Sequence, residues 1–374
     1  MKLLFIISND FGELSDACYF TKGYNFDVSL LLPPRLFAVN QGKLPSKAYL
    51  YKTLQDILDV VDRQQPELIF LFSGYLYAIN QILSLEAVRG LLENLKQRHC
   101  QVVTSDPFLG ILGDLNNSTF SKDFPFHQTF LQHFSKVFTL LQKLPHLYTT
   151  PVASTQKVKQ IAFFNPNIEV SPHELSTYGN QLDQVLPVNL DQKRWLFILS
   201  SEDYVTQINL HGKAKFHAIL KKKLEETVES GCQPIIVTSK KCIDAVRDLK
   251  PQAEGVIYLS FCPYPVFTRI LLEAEYLFLW NVFSNCLLAR IGNQKPVFFF
   301  HPGHLFQAIP RLHELGMKYS YSEANLSYLD IFKPLQSLEL AEQVSVQEQA
   351  FARSQKRFRE SPTPDQVVGQ LLSL

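Results

Sequence analysis

Glycine-rich phosphate loops are missing from this sequence. Neither Gly-x-x-x-x-Gly-Lys-Ser/Thr nor Gly-x-Gly-x-x-Gly occurs among its 15 glycines, which sets aside the P-loop hydrolases and the usual dinucleotide-binding oxidoreductases. There is no Gly-x-Ser-x-Gly nucleophile elbow. The ten histidines contain no His-Glu-x-x-His pair. The six cysteines, Cys18, Cys100, Cys232, Cys242, Cys262 and Cys286, contain no Cys-x-x-Cys. That spacing argues against a zinc site or a disulfide framework and fits a reducing, cytoplasmic setting. An excess of either charge is also missing. Lys and Arg number 36 against 35 Asp and Glu, a net of +1, so no long-range field draws the chain to nucleic acid. The longest apolar stretches, such as Tyr276 to Phe283, are too short to span a bilayer. The apolar start, Met1 to Ile7, is soon interrupted by Asn9, Asp10 and Glu13, unlike a secretory leader. An aromatic share of 12% leaves peripheral membrane contact open, with core packing the simpler reason for it.

What is present is a globular composition, 46% hydrophobic and 19% charged over 374 residues, too long for one ordinary core. Short continuous apolar runs recur at Lys2–Ile7, Phe26–Leu32, Glu67–Phe72, Gln101–Thr104, Lys136–Leu141 and Gln160–Phe164. Continuous runs suit strands buried on both faces of a parallel sheet. Between them, Tyr49–Arg63 and Leu85–Arg98 carry apolar residues at helical spacing. Residues 171–193 are polar, with Pro172, Gly179 and Pro187, and read as a linker. Beyond it the scheme repeats. Strands are expected at Trp195–Leu199, Pro234–Thr238, Gly255–Leu259, Tyr276–Trp280 and Pro296–Phe300. Helices are expected at Lys213–Glu229, Phe267–Glu273 and Ser284–Ile291. Residues 335–374 read as one or two helices broken at Pro362 and Pro364. The expected fold is α/β: two Rossmann-like, doubly wound parallel-sheet domains, 1–175 and 190–374, facing a central cleft. In open parallel sheets ligands bind beyond the carboxyl ends of the strands, at the topological switch point.

The segment Phe261 to His304 is the most informative. Phe261-Cys262-Pro263-Tyr264-Pro265 leads into a helix, then the strand Tyr276–Trp280. The small polar loop Asn281-Val282-Phe283-Ser284-Asn285 opens a second helix, and Asn293-Gln294-Lys295-Pro296-Val297 enters the last strand. This layout resembles the C-terminal, donor-binding domain of GT-B glycosyltransferases, and the resemblance in layout covers most of the chain. It implies a nucleotide-sugar donor on the second domain and an acceptor, of unspecified kind, on the first. Retaining members often carry Glu-x7-Glu here. The second glutamate position is Ala289, which points to inversion. Asp-x-Asp spacing is missing, so no metal or other cofactor is expected.

Site residues follow from position. Ser284 and Asn285 begin a helix, where side chains cap and free N–H groups favour a phosphate; capping alone accounts for them equally well. Gly303 and His304, after the last strong strand, would approach the donor through bare backbone and a ring nitrogen, to a diphosphate or a sugar hydroxyl. Ser201 ends the first strand of the domain, and Lys213 would neutralise phosphate charge. Phe261 would stack on a base, though an aromatic there is more often core. In the first domain Asp106 is the first choice for the general base that deprotonates the acceptor, and Asp10 the second. A turn cap before Pro107 is the plain alternative for Asp106. Glu13 and Asp16 read as solvent-facing, and His99, His127, His133, His146 and His217 as ordinary surface or helix residues. A sugar-nucleotide epimerase on the same frame and a non-catalytic scaffold are the rival functions.

Overall fold

The computed structural model describes residues 1–8, 11–40, 44, 46–79, 82–106, 136–149, 159–167, 192–249, 255–260, 262, 264–319 and 321–373. The expected linker, 171–193, lies almost wholly outside them, as do Asp10 and Phe261. By its contacts the chain divides into two compact units. The first is Met1–Ile168 with Glu314–Ser320 and Lys356–Leu374; the second is Glu169–His313 with Tyr321–Gln355.

The strands of the first unit are β1 (Lys2–Ile6), β2 (Asp27–Leu32), β3 (Lys47–Leu50), β4 (Leu68–Leu71), β5 (Gln101–Ser105), β6 (His146–Tyr148) and β7 (Gln160–Ala162). They form one sheet in the order β3-β2-β1-β4-β5-β6-β7, every neighbour parallel. Its helices are α1 (Phe11–Thr21), α2 (Pro34–Asn40), α3 (Leu54–Gln64), α4 (Leu76–Ile79) and α5 (Leu85–Gln97). Amphipathic α3 and α5 bury Ile57, Val61, Val88, Leu91 and Leu95 in one cluster with Leu4, Ile6, Ile69 and Leu71 of the sheet. That burial is what drives these helices onto the sheet.

The second unit repeats the plan. Its strands are β8 (Arg194–Ile198), β9 (Gln233–Val237), β10 (Ile257–Leu259), β11 (Tyr276–Leu279), β12 (Val297–Phe300) and β13 (Ser327–Leu329). The order is β10-β9-β8-β11-β12-β13, again wholly parallel. The helices are α6 (Ser201–His211), α7 (Lys213–Glu229), α8 (Lys240–Arg247), α9 (Tyr264–Glu273), α10 (Asn285–Gly292) and α11 (His304–Ala308), with the first part of α12 (Pro310–Tyr319) and most of α13 (Ser337–Arg359); the rest of those two and all of α14 (Pro364–Leu372) belong to the first unit.

Each sheet winds outward through three strands, returns, and winds the other way. The switch points are therefore β1/β4 and β8/β11. At each stands a stacked phenylalanine pair in register. Phe5 and Phe70 have ring centroids 4.4 Å apart, and Phe197 and Phe278 4.6 Å. The aromatic richness of the sequence is thus spent, in part, on the cores of the two sheets.

Three expectations need correction. Residues 136–141 are helical, not a strand: Val137 and Leu141 are buried four residues apart and Gln142 N–H donates to the Phe138 carbonyl at 2.9 Å. The helix expected from Tyr49 begins at Leu54, because Lys47–Leu50 pairs with β2 and Thr53 caps the helix with a reciprocal bond to Asp56. Helix α6 was not foreseen. Among the described residues no helix is long and apolar enough to cross a membrane.

Candidate functional site

In the second unit, the carboxyl end of β8 runs into Ser200, which caps α6. Its Oγ accepts the Asp203 N–H at 3.0 Å and donates to Asp203 Oδ2 at 2.9 Å. The capping residue is thus Ser200; Ser201 is the first helical residue and exposed. Asp203 is only 2% exposed. Its Oδ1 accepts the backbone N–H of His304 at 2.8 Å and lies 3.0 Å from His304 Nδ1. One turn on, Gln207 Nε2 donates to the Pro302 carbonyl at 2.7 Å. The loop after β12 is therefore bound to α6. Gly303 makes this fit possible, since a Cβ there would sit 1.8 Å from the Trp280 carbonyl oxygen at the end of β11. The heads of β8, β11 and β12 are thus drawn together by Ser200, Asp203, Gly303 and His304.

From β11 the chain passes through Asn281, whose Oδ1 accepts the Phe283 N–H at 3.0 Å, to Ser284. Ser284 is extended (φ −134°) and its Oγ accepts the Cys286 N–H. Ser284 and Asn285, both half-buried, thus open α10 at the carboxyl end of the switch-point strand. Helix starts of this kind present N–H groups and a partial positive charge to an anion. Lys213 begins α7 and is exposed. Burial, aided by the Lys213 charge, lowers the pKa of His217. His217 lies in helix α7, within the surface-or-helix expectation, but is buried and hydrogen-bonded to Tyr204 Oη at 2.8 Å.

Next to Ala289, Arg290 is fully buried and donates to the carbonyls of Leu271, Ala274, Glu275 and Pro296. It ties α9, the approach to β11 and the entry to β12 onto α10. Burial pulls its pKa down to about 9, so the guanidinium stays charged at neutral pH.

In the first unit Asp106 follows β5 and is 5% exposed. It accepts the Tyr148 hydroxyl at 3.1 Å. Beside it Tyr75 Oη and His146 Nε2 are 2.5 Å apart, and His146 Nδ1 is 2.7 Å from the Leu144 carbonyl. A carbonyl can only accept, so Nδ1 carries the proton and Nε2 accepts from Tyr75. Burial pushes His146 down to about 4. Burial and then the charge of Asp106 push Tyr75 and Tyr148 up. His146 is thus a buried member of a polar network, another correction. So is Glu13, 5% exposed, whose Oε2 accepts both the N–H and the hydroxyl of Ser8 at the head of β1. Tyr51 and Tyr77 donate to the Ile7 and Ile6 carbonyls beside it. Burial raises the pKa of both, with the Glu13 charge a further cause.

Two of these residues had a readable signal. Ser200-x-x-Asp203 is a capping pattern, and it marks both α6 and the carboxylate that holds His304. Glu13 falls three residues after Asp10 in a first helical turn, where acids are common; nothing in the sequence announces that it is buried. Among the described residues no group of three or more His, Cys, Asp or Glu could hold a metal ion.

No protein-family model and no curated protein matches this sequence. Solved structures do match its fold. The UDP-GlcNAc 2-epimerase of Neisseria meningitidis, bound to UDP-GlcNAc, superposes with a TM-score of 0.60 at 13% identity, covering 100% of both chains. The glycosyltransferase of kitacinnamycin gives 0.57 at 9%, covering 99% of each. Spinosyn rhamnosyltransferase complexed with thymidine diphosphate gives 0.55 at 12%, covering 99% of this chain and 100% of the other. The fold is the GT-B fold, as the layout of Phe261 to His304 led one to expect.

Proposed function

We propose that this chain binds a nucleotide-activated sugar on its second unit and transfers the sugar to an acceptor hydroxyl, with inversion and without a metal. The observation that carries the reading is the head of β11. There, at the switch point of a 3-2-1-4-5-6 sheet, Ser284 caps α10, and the partial positive charge of a helix start favours a diphosphate. Lys213 adds a cation to the same unit. Two of the structural neighbours hold ligands of this class, a UDP-sugar and a thymidine diphosphate. Stabilising the departing diphosphate is the electrostatic part of the reaction. Removing the acceptor proton falls to a carboxylate of the first unit, Asp106 or Asp10.

The test is a thermal-shift screen with UDP-, TDP- and GDP-sugars, followed by product analysis with candidate acceptors. A ligand present at about 100 times its Kd stabilises the native state by about 2.7 kcal/mol, a shift of a few degrees. If every nucleotide leaves the melting temperature unchanged, the reading fails. A second reading, epimerisation of the bound sugar, draws on the buried Glu13, Asp106 and His146 at the carboxyl edge of the first sheet. Incubation without any acceptor separates the two, since only an epimerase yields a new sugar nucleotide.

A further inference from the structure

The outer side of α7, with the turn after β13, forms a cationic surface that the donor site does not use. Helix α7 carries Lys213, Lys215, Lys221, Lys222 and Lys223 before its first acid, Glu225. Lys221 pairs with Glu225 at 2.9 Å. Buried Lys223 pairs with Glu226 at 2.8 Å and donates to the Lys333 carbonyl. Glu226 Oε2 also accepts the Leu335 N–H at 3.0 Å, so the turn 332–335 is fastened along the helix. With Lys213 given to the donor, Lys215, Lys222 and Lys333 remain. All three are exposed and, among the described residues, none is in an ion pair. Lys215 and Lys222 are two helical turns apart, on one stripe. Phe332 stands among these cations, 52% exposed, although Ile331 and Leu335 on either side of it enter the core. Lys215 Nζ lies 5.0 Å over the Phe332 ring, and the His211 ring stands at 87° to it, 5.2 Å away. An acid is also present at the turn: exposed Asp330, whose Oδ1 accepts the Phe332 N–H at 2.9 Å.

We propose that this surface docks the second unit on a bilayer containing anionic lipid, with Phe332 entering the headgroup boundary and Lys215, Lys222 and Lys333 at the level of the phosphates. The reason is complementarity of two kinds. An outward phenylalanine gains from leaving water, and long lysine stems let the ring go below while the charges stay at the headgroups. A lysine close to an anionic leaflet is worth about fivefold in binding, so the three together are worth about a hundredfold. One apolar anchor alone is weak, and binding therefore needs both signals. A single-stranded nucleic acid would meet the same cations, but base stacking needs an open ring face, and Lys215 covers that of Phe332. The net charge of +1 supplies no long-range pull on a polyanion either.

The test is flotation of the full chain with vesicles of phosphatidylcholine alone and of equal parts phosphatidylcholine and phosphatidylglycerol. The protein should float with the mixed vesicles and not with the neutral ones, and raising the salt from about 0.1 M to about 1 M should release most of it. Lys215→Glu combined with Lys222→Glu should weaken binding at least about tenfold. Lys241→Glu, at an exposed lysine of α8, should leave it within about twofold. Phe332→Trp gives a direct readout, because the native Trp195 and Trp280 are buried. Its emission should shift to the blue with the mixed vesicles and stay in place with neutral vesicles or with poly(U). This variant reports insertion as a gain of signal, so it decides the question even where a charge reversal fails to fold. No flotation, equal flotation with neutral vesicles, or an equal loss in Lys241→Glu overturns the proposal. Binding to poly(U) as tight as to the mixed vesicles, with no blue shift on the vesicles, would assign the surface to nucleic acid and overturn it too.

Discussion

His146 sits neutral between Tyr75 and the Leu144 carbonyl, wholly buried on β6. Its pKa, pushed down to about 4 by desolvation, compares with about 6.5 in the unfolded chain. Between those values the unfolded state binds the extra proton, so stability rises with pH across this window and is lost on acidification from about 6.5 toward 4. The full difference is of order 3 kcal/mol. Urea unfolding at pH 7.5 and pH 4.5 checks this. The wild type should lose more stability than His146→Gln, and an equal loss in both would show that another group governs the acid limb. The buried status of His146, His217, Glu13 and Asp203 was not legible. Burial of a polar residue depends on which side of an element it falls and on a partner far away in sequence, as with Tyr75 and His146, 71 residues apart. The positions of Ser284 and Asp106 were legible because each follows a continuous apolar run, which locates the head of a strand.

At the scale of elements, Arg290 shows how one side chain fixes three segments. Replacing it by methionine keeps the packing volume roughly but leaves the carbonyls of Leu271, Ala274, Glu275 and Pro296 without this donor. Each buried acceptor left unpaired costs about 1–3 kcal/mol, so Arg290→Met should cost at least about 3 kcal/mol. Arg290→Lys, a single point charge in place of a fork, should restore only part of it. Chemical denaturation of the two variants gives the comparison, and a loss under about 1 kcal/mol would contradict the clamp. Central strands were read correctly because both of their faces are apolar. The edge strand β13 was missed, being three residues long and only half-buried. Helix α6 was missed because its pattern is inverted: Asp203, Thr206 and Gln207 are buried while Val205 and Leu210 are 48% and 44% exposed. Its inner face is polar because it holds the Pro302–His304 loop, so periodicity of apolar residues could not reveal it.

At the scale of the whole molecule, the two parallel sheets were visible in the alternation of apolar runs and amphipathic helices, each a consequence of covering both faces of a sheet. What the sequence did not disclose is the return of the C-terminal residues Lys356–Leu374 to the first unit. There Phe358, Val367, Val368 and Leu371 are buried, Phe358 lies against Phe164 with centroids 6.5 Å apart, and the Phe164 N–H donates to the Pro362 carbonyl. Such contacts join residues almost 200 positions apart, and no local pattern encodes them. Deleting 356–374 should therefore destabilise the first unit by at least about 3 kcal/mol, the value of a few buried apolar side chains. Both tryptophans, Trp195 and Trp280, lie in the second unit. The deletion should lower the urea midpoint seen by far-ultraviolet circular dichroism while moving the tryptophan-fluorescence midpoint little. Equal movement of both would mean that the tail supports the two units alike.

Where a nucleotide binds is measured most directly by amide hydrogen exchange of the full chain with and without a saturating nucleoside diphosphate, chosen from the thermal-shift screen. Slower exchange is expected at residues 284–287, the first turn of α10. Binding without protection there, or with protection confined to residues of the first unit, would contradict the assignment of the donor to the head of β11.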